Sequence, residues 1–426
     1  MKKNHFWQTA LFAGALLFGF TACSNDDNGA QQPSENQERT LTIALNLAQP
    51  STSTMRTVAT TDPGAAESTI NDVIVAIFDG SNNTVKIERV TSSDAATQVP
   101  GAATGTYKWA DSGKKITLAA QGLAAGYKVY VVANAPYAGD GSKAGDKLLN
   151  CASKSAFEAV TISADEALSA DGTSSGNGKE GNFVMMGEGV LKTGGSSGTT
   201  FVGVQTAGGT DAIKLYRMVS KVYIDKASTN FSGIYGSASY QITEIYLDNV
   251  PASEKFVLDE NTIAPTLNMN VAGGTKTESS ATTIPYLSSG VLTTPITLTT
   301  TPAGVNHFFY TMPNASTTYT RLVVKGDFSV GVGTSTVIYY PIYLNWTWDD
   351  TNSEWKAVTL SPNTLPYKTS VTREAKKIYA NDAYKITLNI KTIGVTDPRQ
   401  DLDPQSVEVN VTVADWVDIA QNSTFQ

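Results

Sequence analysis

The chain has 426 residues, length enough for two hydrophobic cores, and its 31 basic and 39 acidic residues leave a formal charge of −8. No basic face is available for nucleic acid. Charged residues make up only 16% of a sequence rich in Gly, Ser and Thr, which suits a β-rich extracellular protein with polar but weakly charged strand faces.

In chain order, Lys2 and Lys3 precede the apolar run "WQTALFAGALLFGFTA" and then Cys23. Residues 1–22 therefore read as a secretory signal, too short to span a bilayer as a helix. The stretch "FGFTAC" resembles a bacterial lipobox, with Phe20 where that motif usually carries Leu, Val or Ile. The resemblance implies cleavage before Cys23 and attachment of lipid (palmitate) to it, an anchor that tethers without spanning. Cys151 is then the remaining cysteine, so the folded part has no internal disulfide. It reads as a small buried hydrophobe.

Residues 40–56, "TLTIALNLAQPSTSTMR", open with strict alternation: Leu41, Ile43, Leu45 and Leu47 fall on one face, with Thr40, Thr42, Ala44 and Asn46 on the other. That is the period of a half-buried strand. It runs into a Ser/Thr tract ending at Met55-Arg56, an exposed protease site in appearance, so residues 23–56 read as a lipidated propeptide. Further strands are expected at "INDVIVAIFDGSNN", with a turn at Asp79-Gly80, and at "YKVYVVANAP", stopped by Pro136. Short helices are expected within 153–170. The low-complexity patches "SADGTSSGNGKEGN" and "KTGGSSGTT" read as loops. Strands follow at "KLYRMVSKVYIDKAS", "YQITEIYLDNV", "TRLVVKGDFSV", "STVIYYPIYLNWTW", "AYKITLNIKTIG" and "SVEVNVTVADWVDIAQ". Many short strands between Gly/Pro/Asn turns indicate β-sandwiches rather than α/β units. The two halves are expected at 57–228 and 229–426.

The search for chemistry is brief. His5 leaves with the signal, so His307 stands alone, read as a satisfied residue at the start of an aromatic strand. No nucleophile elbow and no zinc spacing is present. Asp397, Asp401 and Asp403 lack the order of a calcium loop and read as a solvated linker. Asp349-Asp350 is a second acidic pair, and two carboxylates suffice for a glycosidase. Tyr343, Trp346 and Trp348 are candidates for a sugar-stacking platform, but alternation places Leu344, Trp346 and Trp348 together and favours a packing role. No catalytic site, metal site or cofactor is expected.

The end of the chain mirrors its beginning. In "VEVNVTV", Val407, Val409, Val411 and Val413 share one face. Two strands of matched period and apolar load can occupy one groove at different times. The same pattern also fits two edge strands of one domain, or neighbours across a sandwich. Four buried aliphatic side chains contribute roughly 6–12 kcal/mol, against a domain stability of about 5–15 kcal/mol. Losing the first strand after a cut at Arg56 would leave a groove that accepts another strand, and a strand from a second copy makes a non-closing, filamentous contact.

The leader, the strand followed by Arg56, "INDVIVAIFDG", "YKVYVVANAP", "NFVMMGE", "LYRMVSKVYID", "FYTMPNAS", "YYPIYLN", "REAKKIYANDAYKITLNIKTIG" and "VEVNVTVADWVDIAQNSTF" together resemble the FimA-like type V pilins, the major fimbrial subunits of Bacteroidetes. The resemblance implies an all-β fold of two transthyretin-like antiparallel β-sandwich domains in tandem with a swappable C-terminal strand at about 406–420. It implies an outer-membrane lipoprotein precursor, cut between Arg56 and Thr57 by a trypsin-like protease and polymerised head to tail by donor-strand exchange into a surface fimbria. Partners would be other copies and accessory subunits, with adhesion and biofilm formation as the outcome. Arg39 is the rival cleavage site, but a cut there leaves the strand in place. Alternatives are an anchor or tip subunit, a carbohydrate-binding surface lipoprotein, and a surface hydrolase.

Overall fold

This computed structural model describes residues 39–47, 69–163, 166–167, 183–192, 200–202, 204–205, 212–251, 253–257, 271–272, 275–276, 288–331, 333–349, 351–352, 354–358, 364–365, 368–402 and 407–415. Among them the architecture is all-β sandwich with a few short helices. The low-complexity patches lie mostly outside the described residues.

The first half builds a ten-stranded ladder. Along its main path run Thr84–Thr91, Asp72–Phe78, Lys128–Ala133, Met185–Leu191, Ala212–Arg217, Arg39–Leu47, Lys115–Ala120 and Trp109–Ala110. One core gathers Leu41, Ile43, Val73, Val75, Ile116, Leu118, Val129 and Val131. The alternate residues Ile74, Ala76 and Phe78 join a second core instead. The Asp72–Phe78 strand is thus buried on both faces, which explains its unbroken apolar run. The Asp79 carboxylate accepts the Ser81 and Asn83 amides, each at 2.8 Å, and closes the hairpin expected at Asp79-Gly80.

Helix Lys154–Ala159 falls where short helices were expected. Ser153 caps it, its hydroxyl accepting the Ala156 amide at 3.2 Å. Helix Ala144–Leu149 was not anticipated; the Asp146 carboxylate holds its start by accepting the Ala138, Gly139 and Lys143 amides. Cys151 follows it, half-buried against the second core, its thiol donating to the Lys147 carbonyl. Burial pushes that thiol's pKa up.

The second half contributes two four-stranded sheets. One runs Ala303–Thr311, Ser220–Thr229, Asp382–Ile390, Val407–Asp415; the other runs Ser288–Leu298, Ala238–Asp248, Arg321–Val330, Thr336–Tyr343. Val222, Ile224, Tyr384, Ile386 and Leu388 of the first sheet share a core with Tyr240, Ile242, Val324 and Tyr340 of the second. Arg373 anchors the Asp382–Ile390 strand: its Nε and Nη2 donate to the two Asp382 carboxylate oxygens at 2.9 and 2.8 Å, both residues nearly sealed from water.

Two expected strands are broken in the structure. The run 214–228 divides at Met218-Val219, with Ala212–Arg217 in the first ladder and Ser220–Thr229 in the second half's sheet. Asn381 pins the crossing: its side-chain oxygen accepts the Arg217 amide at 3.1 Å, and its own amide donates to the Val219 carbonyl at 3.0 Å. Sheet membership therefore changes ahead of the boundary expected at 228. The run 335–348 turns at Leu344-Asn345, where Asn345 takes the left-handed φ of 51°. Leu344 and Trp346 consequently do not share one strand face. Trp346–Asp349 pairs instead with Glu354–Ala357 as a separate hairpin.

Candidate assembly site

The opening strand, Arg39–Leu47, lies inside the first ladder. On one flank Arg39–Ala44 pairs antiparallel with Lys115–Ala120. On the other, Thr40–Thr42 pairs parallel with Thr200–Val202, and Ala44–Leu47 parallel with Ala212–Leu215. Its alternation is realised in burial: Leu41 and Ile43 are 0% exposed and Leu45 2%, while Ala44 between them is exposed. Thr42 on the outer face meets Thr117 hydroxyl to hydroxyl at 3.2 Å. The strand therefore fills a slot walled by Lys115–Ala120 and Ala212–Leu215. Those walls were not singled out from sequence, although "KITLAA" alternates Ile116, Leu118 and Ala120 in the same way. Gly187 lets the second wall close up, since a Cβ there would collide with the Lys214 carbonyl and the Ile213 side chain.

The closing strand, Val407–Asp415, occupies a different position. Among the described residues it is an edge strand, paired on one flank, antiparallel to Asp382–Ile390 of its own chain. The register sets Val407 opposite Ile390, Val409 opposite Leu388, Val411 opposite Ile386 and Val413 opposite Tyr384. All four partners are 0% exposed. The two strands with matched patterns thus belong to different sheets: the opening one is interior and the closing one peripheral. Cys23, Arg56, Thr57 and residues 416–420 lie outside the described residues, as do the side chains of Leu47 and of the four valines.

The chain leading into the closing strand is tied down at Asp401, whose carboxylate accepts the Tyr343 hydroxyl at 2.6 Å. Burial, then this bond, pushes the Tyr343 pKa up to about 12. Lys376, brought in from far along the chain, sets its ammonium 4.2 Å from the Tyr343 ring centre and 4.6 Å from that of Trp346. Two of the three aromatics considered as a sugar platform, Tyr343 and Trp346, are thus partly covered by the chain's own cation, and the side chain of Trp348 lies outside the described residues. Asp397 does not join Asp401 around an ion site. It is held by Arg399 at 2.7 Å, and that bond draws its pKa down to about 2. Among the described residues no group of three or more His, Cys, Asp or Glu is placed to hold a metal.

His307 departs from expectation. It sits mid-strand in Ala303–Thr311, half-buried and edge-on to Phe309 at 4.9 Å, and among the described residues its Nε2 has no hydrogen-bond partner. Burial lowers its pKa to about 4. It is a packing residue with an unsatisfied nitrogen.

Residues 40–220 match the family model described as the major fimbrial subunit protein, FimA. No curated protein sequence matches the chain. Among solved structures, a candidate cell adhesion protein of Bacteroides eggerthii superposes with a TM-score of 0.56 at 20% identity, over 89% of this chain and 97% of that one. A candidate cell adhesion protein of Parabacteroides distasonis gives 0.54 at 14% identity, over 90% and 99%. A fimbrilin, FimA, of Porphyromonas gingivalis gives 0.52 at 16% identity, over 90% and 98%. At such identities the likeness is one of fold. Residues 40–220 thus resemble the major fimbrial subunit family, and the described residues share the fimbrilin β-sandwich fold.

Proposed function

We propose that this chain is the structural subunit of a surface fimbria, exported as a lipoprotein lipidated at Cys23, cut between Arg56 and Thr57, and polymerised when the closing strand of a neighbour replaces the opening strand. The observation that carries this reading is the interior position of the opening strand, flanked on both sides and buried through Leu41, Ile43 and Leu45. Removing it exposes three aliphatic side chains at roughly 1.5–3 kcal/mol each, about 5–9 kcal/mol together. It also strips the facing backbone groups of two neighbouring strands of their partners. Against a stability of about 5–15 kcal/mol that vacancy must be refilled. The closing strand has the right period and length, and leaving an edge disrupts only one ladder. In this reading the fold is two transthyretin-like sandwiches in tandem, the maturation protease is trypsin-like, and the partners are other copies and accessory fimbrial subunits. The match of residues 40–220 to the FimA model supports it. The fimbria would then serve adhesion and biofilm formation.

The test is N-terminal sequencing and intact mass of the protein from surface filaments and from the membrane fraction. A filament form beginning at Thr57 without lipid is expected. A filament form still beginning at lipidated Cys23 would overturn strand removal and favour an anchor subunit.

A further inference from the structure

The pairing of the opening strand is lopsided, and the lopsidedness gives exchange a direction. Thr40–Thr42 is held on both flanks, by Lys115–Ala120 and by Thr200–Val202. The ladder to Lys115–Ala120 ends at Ala44, and the Leu45 amide adds one more bond to the Lys114 carbonyl at 2.7 Å. Among the described residues Asn46 and Leu47 are paired in register only with Lys214 and Leu215. The weakly held end is also the end from which the chain continues toward Arg56. Resting on the strand-exchange reading above, we infer that exchange begins there. The closing strand of a second copy pairs first along Ala212–Leu215, as Leu47 and Asn46 peel away, and then displaces the opening strand stepwise toward Arg39.

Two features make this route cheaper than outright release. Leu47 and Asn46 each disrupt one ladder when freed, whereas beyond Arg39, which is held by one ladder, Thr40, Leu41 and Thr42 each disrupt two. An incoming strand that advances as the old one retreats keeps the apolar slot filled throughout, so Leu41 and Ile43 leave only when replacements are in place. A cut after Arg56 then does not expel the strand; it frees the end at which a neighbour can enter. The partner is a second copy of this chain, recognised by backbone pairing and by four aliphatic side chains at period two.

Reversible locks at the two ends test the direction. Asn46 and Lys214 are register partners, as are Thr40 and Ala119. Neighbouring strands are about 5 Å apart, within the reach of a disulfide. The variants N46C/K214C and T40C/A119C, each with Cys151→Ser, are made in the full precursor, oxidised, and cut after Arg56 with trypsin. The probe is a fluorescent peptide of residues 406–420. Without a lock, the peptide is captured and the excised strand is released. The N46C/K214C lock should abolish capture until reductant is added. The T40C/A119C lock should permit capture while retaining the excised segment covalently, a stalled half-exchanged species. Capture with the first lock but not the second would place entry at the Arg39 end and overturn the inference. Loss of capture with both locks would mean all-or-none release, which also overturns it. Absence of capture by the unlocked protein would instead defeat strand exchange itself, taking the direction with it.

Discussion

The opening and closing strands carry the same binary pattern and hold opposite positions. Leu41, Ile43 and Leu45 sit in a slot with a ladder on either side; Val407 to Val413 run along an edge with a ladder on one side. Side-chain period tells which face of a strand meets the core, and nothing in it tells whether the strand is interior or peripheral. That distinction sets what each strand can do. An interior strand leaves a vacancy that destabilises its host, while an edge strand can depart at the cost of one ladder.

The most damaging way to probe the comparison is a charge in the slot. Ile43→Asp buries a carboxylate at a fully enclosed position that cannot reach water without opening both flanks. A loss of about 5 kcal/mol or failure to fold is expected, read by denaturant unfolding of the precursor. A loss below about 1 kcal/mol would mean the slot is far looser than its burial indicates.

Arg373→Met attacks the other side of the comparison, at the strand on which the closing strand leans. It leaves the Asp382 carboxylate buried without its bidentate partner, at an expected cost of about 3–5 kcal/mol. Tyr384, whose hydroxyl also reaches Asp382 at 3.3 Å, cannot replace the lost charge. Hydrogen exchange should show protection falling first along Asp382–Ile390 and Val407–Asp415, with Arg39–Leu47 spared. Equal loss of protection at the opening strand would show that the two regions open as one unit.

Acid tests the opposite edge of the closing strand's sheet, where His307 lies. Above pH 6.5 its imidazole is neutral in both folded and unfolded chains and contributes no pH dependence. As pH falls from 6.5 toward the folded value of about 4, the unfolded chain takes up a proton that the fold refuses, so stability declines across that window. The shift corresponds to about 3 kcal/mol in full. Carboxylates also titrate near its lower end, so the measurement is the difference in pH-dependent melting between the parent and His307→Gln. Parallel curves for the two would mean that His307 titrates alike in the folded and the unfolded chain.

How much of this was legible depends on whether the deciding contact is local. The buried face of Leu41, Ile43 and Leu45, the turn at Asp79-Gly80 and a short helix within 153–170 follow from neighbours a few residues apart, and the structure shows each of them. The switch of sheets at Met218-Val219 was not legible, because both residues are buried and read as part of one strand; the residue that fixes the crossing, Asn381, is remote in sequence. The turn at Leu344-Asn345 had a local sign in Asn345, a residue that tolerates left-handed backbone, but the flanking Tyr and Trp residues read as uninterrupted alternation. Lys376 over Tyr343 and Trp346 is equally non-local. For the assembly site, the two strands and the buried face of Leu41, Ile43 and Leu45 were legible in the sequence. It could not give the slot walls or the edge position, which are properties of strand order.

Val411→Asp is the mildest change to the precursor and the sharpest comparison with Ile43→Asp. In the precursor, position 411 lies opposite Ile386 on an edge strand, so the carboxylate can be relieved by fraying one ladder. The cost is capped at the price of that local opening, about 1–2 kcal/mol, well below the cost at Ile43. In a filament built by strand exchange the same residue would enter a slot walled on both sides, where fraying gives no relief. The expected outcome is a precursor that still unfolds cooperatively near its parent's midpoint, and a matured protein that forms no resistant ladder on a denaturing gel. A precursor as crippled as Ile43→Asp would show that the closing strand is integral to its own domain. Normal ladders from a stable Val411→Asp protein would show that this strand is not what fills a neighbour's slot.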